Sequence, residues 1–67
     1  MLIQVSAQSC IDSLDHQKIQ DALDAGRICM LLPASATKLD HAVLMPELRQ
    51  HYLEVYLSQA GEIVIAA

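Results

Sequence analysis

Along the opening residues MLIQVSA, apolar and polar side chains alternate, with Ile3, Val5 and Ala7 on one side and Gln4 and Ser6 on the other. A period of two predicts a half-buried strand. Gln8 to Asp12 is a polar connection. The period then lengthens: His16, Ile19, Ala22 and Leu23 recur at helical spacing, Asp12 or Ser13 can cap the start, and Gly26 marks the end. Arg27 to Leu32 (RICMLL) is a continuous apolar run stopped by Pro33, which predicts a strand buried on both faces. After PASAT, Thr37 and Asp40 are spaced as a capping box for a short helix over 39–44. Pro46 has no N–H to give a helix ladder, so it is expected to open a new or kinked helix. That helix would carry Leu48, Tyr52, Val55 and Tyr56 on one side and end at Gly61. The final run, Glu62 to Ala67 (EIVIAA), predicts a third strand.

These elements define a small two-layer α/β (or α+β) domain over residues 1–67, in the order β-α-β-α-β. The expected sheet is three-stranded and mostly parallel, and the second helical region is broken at Pro46. With the Arg27–Leu32 strand central, right-handed crossovers put both helical regions on the same face and leave the other face bare. A second copy of the chain is the simplest cover for it. Cys29, Leu31, Val64 and Ile65, from the two continuous apolar strands, are the candidate interface residues. A shift of 25 residues superposes strand on strand and brings the triplet Leu14-Asp15-His16 onto Leu39-Asp40-His41.

Composition strengthens the case for association. The chain has 67 residues, of which 54% are hydrophobic and 18% charged, and it lacks Phe and Trp. A domain this short buries only about 60% of the surface its unfolded form exposes. So many aliphatic side chains are hard to hide in one protomer, and a homo-oligomer, most simply a dimer, is expected, with a further protein partner on the same surface. The net charge of −4 and the scattered positions of Lys18, Arg27, Lys38 and Arg49 argue against nucleic acid. No apolar run reaches the ~20 residues of a membrane span, and the N-terminus lacks the features of a secretory signal. A cytoplasmic protein with Cys10 and Cys29 as free thiols is the expectation.

Candidate chemistry is sparse. Asp12-Ser13-Leu14 resembles the phosphopantetheine-bearing motif of acyl carrier proteins, and the likeness covers about a dozen residues with the run LDHQKIQDAL behind it. That family requires a helix and a long loop before the serine, where this chain places a strand, so helix capping is the adopted reading. If the sheet is parallel, the loops after its first two strands share one rim, where open α/β sheets bind ligands. Ser9, His16, Ser35, Thr37 and His41 would gather there, enough for a small ligand or acid–base work. Asp12, Asp15 and Asp40 would repel an anion, and no glycine-rich phosphate loop exists. His16, His41 and His51 form no i, i+4 pair, so neither metal nor cofactor is expected. The expected function is therefore non-enzymatic association through an apolar sheet face, with ligand binding at the His16 and His41 rim as the alternative.

Overall fold

The computed structural model describes residues 1–34 and 38–66. It comprises β1 (Leu2–Val5), α1 (Ser13–Asp24), β2 (Cys29–Pro33), α2 (His41–His51), β3 (Glu54–Leu57) and β4 (Ile63–Ala66). The mixed α/β class and the two helical regions are as expected. The sheet has four strands rather than three, in the order β1-β2-β4-β3. β1 and β2 are the one parallel neighbouring pair, with Ile3 opposite Leu31, and β3 runs in their direction but pairs only with β4. The β2–β4 and β4–β3 pairs are both antiparallel. The expected mostly parallel sheet is thus corrected.

The extra strand comes from the segment read as the second half of a broken helix. Pro46 lies inside α2 as an exposed residue and does not divide it. The helix stops at His51, and Tyr52 is already extended (φ −130°, ψ 146°). Beyond it, Glu54-Val55-Tyr56-Leu57 suits a pleated strand, with Val55 buried and its neighbours Glu54 and Tyr56 exposed. Gly61 does not terminate a helix but closes the β3–β4 hairpin at φ +82°. Its N–H donates to the Ser58 carbonyl (3.0 Å) and the Ser58 N–H donates to the Glu62 carbonyl (2.8 Å). That pair of bonds around a left-handed glycine is the pattern of a G1 bulge. A glycine ending a helix and one closing this turn need the same left-handed backbone, which is why the sequence signal was shared.

The α1 boundaries agree with their sequence signals. Asp12 is the N-cap: its carboxylate accepts from the Asp15 N–H (2.8 Å), and Asp15 reaches back to the Asp12 N–H (3.4 Å). Ser13 is the first helical residue. At the other end Gly26 (φ +76°) donates to Leu23 and Arg27 donates to Ala22, each at 2.9 Å, completing a Schellman motif. Asp40 is the N-cap of α2 but makes no side-chain capping bond, and the helix begins at His41 rather than Leu39. The proposed cap Thr37 falls outside the described residues.

Both helices pack on one face of the sheet. Ile3 and Val5, Cys29 and Leu31, Val55, and Ile63 and Ile65 point to that side. They meet Ile19 and Ala22 of α1 and Leu44, Met45 and Leu48 of α2. The one-sided arrangement expected from the sequence is therefore present.

Candidate functional site

The face away from the helices is defined by the intervening strand residues. Register sets Leu2 opposite Met30, Met30 opposite Val64, and Val64 opposite Tyr56, giving one row across all four strands. Leu32, Ala66 and the adjoining Ile28 extend it. Leu2 is 64% exposed, Ile28 54% and Tyr56 47%. Val64 is buried between its neighbours but does not belong to the helix-side core. The strand residues of this face include no Lys or Arg, Gln4 and Glu54 are its polar strand members, and Lys18 of α1 lines a concavity with Leu2, Gln4 and Leu32 at the β1 edge. Of the four candidate interface residues, Cys29, Leu31 and Ile65 belong to the helix-side core, and Val64 alone lies on the open face. Sequence reasoning overlooked Leu2, Met30 and Tyr56. Strand parity carried their signal, because in a one-sided sheet the residues beside core positions must face the other way.

The two sheet edges differ. The Val55 carbonyl on edge strand β3 accepts from the Arg49 guanidinium at 3.5 Å. At the β1 end the terminal amino group of Met1 donates to the Ile28 carbonyl, and Met30 donates to the Met1 carbonyl (2.8 Å). The Arg49 side chain thus occupies one backbone group that a strand added at β3 would use, whereas the Met1 bonds belong to the β1–β2 pairing and leave the outer edge of β1 uncovered by them.

The loops after β1 and β2 do lie together, since the Asp40 N–H donates to the Gln8 carbonyl (2.9 Å). The expected rim residues are nonetheless distributed. Ser9 is exposed in the first loop, and Ser35 and Thr37 lie outside the described residues. His41 lines a concavity of about 230 Å³ with Leu32, Pro33, Lys38, Leu39 and Glu62. His16 lines a different one of about 350 Å³ with Ser13, Gln17, Gln20, His51 and Tyr52. The two Leu-Asp-His triplets differ in helix phase: Asp15 is the third residue of α1, whereas Asp40 precedes α2.

His16 is paired with residues the sequence did not connect to it. Its Nδ1 is 2.8 Å from the Tyr52 hydroxyl, and its ring centroid is 5.0 Å from that of His51. Tyr52 stacks near His16, with centroids 5.9 Å apart and planes 27° off parallel. Burial pushes the Tyr52 phenol up from its ordinary value, with Cys29 adding a smaller electrostatic contribution. The phenol therefore stays neutral at physiological pH, and its hydroxyl can donate to or accept from His16 Nδ1 according to the imidazole tautomer. No local pattern could have joined His16 to Tyr52, because they are 36 residues apart and meet only when α2 ends beside α1.

Elsewhere, burial raises the thiol pKa of Cys29, whose Sγ lies 3.8 Å from the Ile19 carbonyl, while Cys10 is exposed. Neither thiol has the electropositive, accessible setting of a nucleophile shown around it. Among the described residues no helix is long and apolar enough to cross a membrane. Comparison with known proteins finds no matching family model, no matching curated protein and no matching solved structure.

Proposed function

We infer that this chain is a small cytoplasmic, non-enzymatic association module whose open sheet face is covered by a second copy of itself. The observation that carries this reading is the row Leu2–Met30–Val64–Tyr56, apolar across all four strands and opposite the helices. A two-fold contact would set the row against its own copy, so no complementary partner surface is required. No strand residue of the face is Lys or Arg, and Lys18 lies at its β1 border, so the centre of the contact would strand no cation. Another protein with an apolar surface is the alternative occupant of the same face.

Size sets the strength. Four strands about 4.8 Å apart, of four or five residues rising ~3.3 Å each, give a flat footprint of roughly 250 Å². A standard interface buries about 800 Å² per partner, so association through this face is expected to be weak and concentration-dependent. Sedimentation equilibrium across the micromolar to millimolar range should show a mass rising from 7.3 kDa toward twice that value. Met30→Glu adds a charge at a half-buried position of the open face and should hold the protein at monomer mass with its fold intact. A wild-type protein that stays monomeric at millimolar concentration, or a Met30→Glu variant that associates equally well, overturns the reading.

A further inference from the structure

We propose that His16 and His51 form a two-imidazole site for a borderline divalent transition-metal ion such as Zn²⁺, with its remaining coordination positions open. The ring separation matches that of two imidazoles on one ion. With Zn–N distances of ~2.0–2.1 Å and each nitrogen ~1.1 Å from its ring centre, two imidazoles at angles between ~90° and tetrahedral have centroids ~4.5–5.1 Å apart. The His16 and His51 centroids are 5.0 Å apart, with the rings inclined at 58°.

Tyr52 supplies the support that a ligating histidine needs. When His16 Nδ1–H donates to the Tyr52 hydroxyl, at 2.8 Å, the Nε2 lone pair is left free for a metal. The tyrosine is buried and lies directly after His51, so one residue orients one ligand and anchors the chain that carries the other. The concavity lined by Ser13, Gln17 and Gln20 leaves room for water or an external ligand on the ion. None of its lining residues is Lys or Arg, and the chain's net charge of −4 does not oppose a cation. Among the described residues no group of three or more His, Cys, Asp or Glu side chains is placed to hold a metal. The site is therefore limited to two protein ligands, and imidazole selects Zn²⁺, Cu²⁺ or Ni²⁺ over Mg²⁺ and Ca²⁺. It lies at the helices, away from the open sheet face, so it stands or falls separately from the association reading.

The test is a calorimetric titration of the full chain with Zn²⁺, alongside imidazole ¹⁵N spectra. The wild type should take up one ion per chain, with the side-chain nitrogens of both His16 and His51 shifting. His51 is exposed, so His51→Ala should remain folded by circular dichroism and lose the binding isotherm. His16→Ala should lose it too, and His41→Ala should bind like the wild type. Tyr52→Phe should keep the stoichiometry while weakening affinity by about tenfold or more, the usual scale for removing a ligand's supporting hydrogen bond. Absence of uptake by the wild type, or undiminished uptake by His51→Ala, overturns the proposal.

Discussion

Asp15 completes the capping box of α1 from a position only 5% exposed, and its carboxyl is held above its ordinary value of 3.8. Burial is the main cause; the nearby Asp12 charge adds to it, while the Asp12 N–H and Lys18 work the other way. The sign of the linkage follows. In the window just above pH 3.8 the folded chain holds a proton that the unfolded chain has released, so stability falls as pH rises through that window. Asp15→Asn keeps an oxygen for the Asp12 N–H and removes the titration. Measured by urea denaturation from pH 3.5 to 7, the variant should gain stability relative to the wild type as pH rises. A difference between the two that does not change with pH would rule out burial of this carboxylate as the cause. The residue scale also explains which capping signals were legible. Asp12 and Gly26 act through bonds to residues within five positions, which sequence spacing reveals directly. The His16–Tyr52 contact depends on where two helices meet, and spacing along the chain does not encode that.

At the scale of elements, β1 and α1 follow from hydrophobic period together with the capping signals of α1, and β2 and the final strand from continuous apolar runs, while α2 and β3 show where period becomes ambiguous. Leu48, Tyr52 and Val55 fit a continued helical stripe, yet Val55 between exposed Glu54 and Tyr56 equally fits a strand. Cross-strand pairing with β4 favours the second pattern, because Val55 then meets Ile65 and Tyr56 meets Val64. The parallel expectation failed for the same reason: a hairpin between β3 and β4 reverses the last strand, and no crossover helix is left to make it parallel. Gly61 is the hinge of that reversal. Its φ of +82° is unfavourable for a side chain, while an added Cβ would meet only the His41 ring at an ordinary 3.9 Å. Gly61→Ala should thus lower stability through the backbone rather than a clash, by about 1–2 kcal/mol. Thermal or chemical unfolding measures this; an unchanged midpoint would mean that the turn tolerates a different backbone.

For the whole molecule, the decisive contrast lies between adjacent residues of β4 that face opposite ways. Ile65 is fully buried with Cys29 and Val55 as its cross-strand partners beneath the helices. Val64 is 6% exposed, but its neighbours on the open face are Met30 and Tyr56. The sequence showed an unbroken apolar triplet, Ile63-Val64-Ile65, and could not distinguish the side covered by helices from the side awaiting a partner. Ile65→Asp places a carboxylate in the core with no cation to meet it, at a cost of several kcal/mol, and the chain should be unfolded at every concentration. Val64→Asp places the same group on the face that no helix covers, between the Met30 and Tyr56 side chains. It should fold at low concentration with some loss of stability, yet fail to associate where the wild type does. Circular dichroism at micromolar concentration and sedimentation at high concentration separate the two behaviours. If Val64→Asp unfolds as completely as Ile65→Asp, the open face cannot exist uncovered, and the weak, reversible contact inferred from its footprint must be replaced by an obligate one in which folding and assembly are a single step.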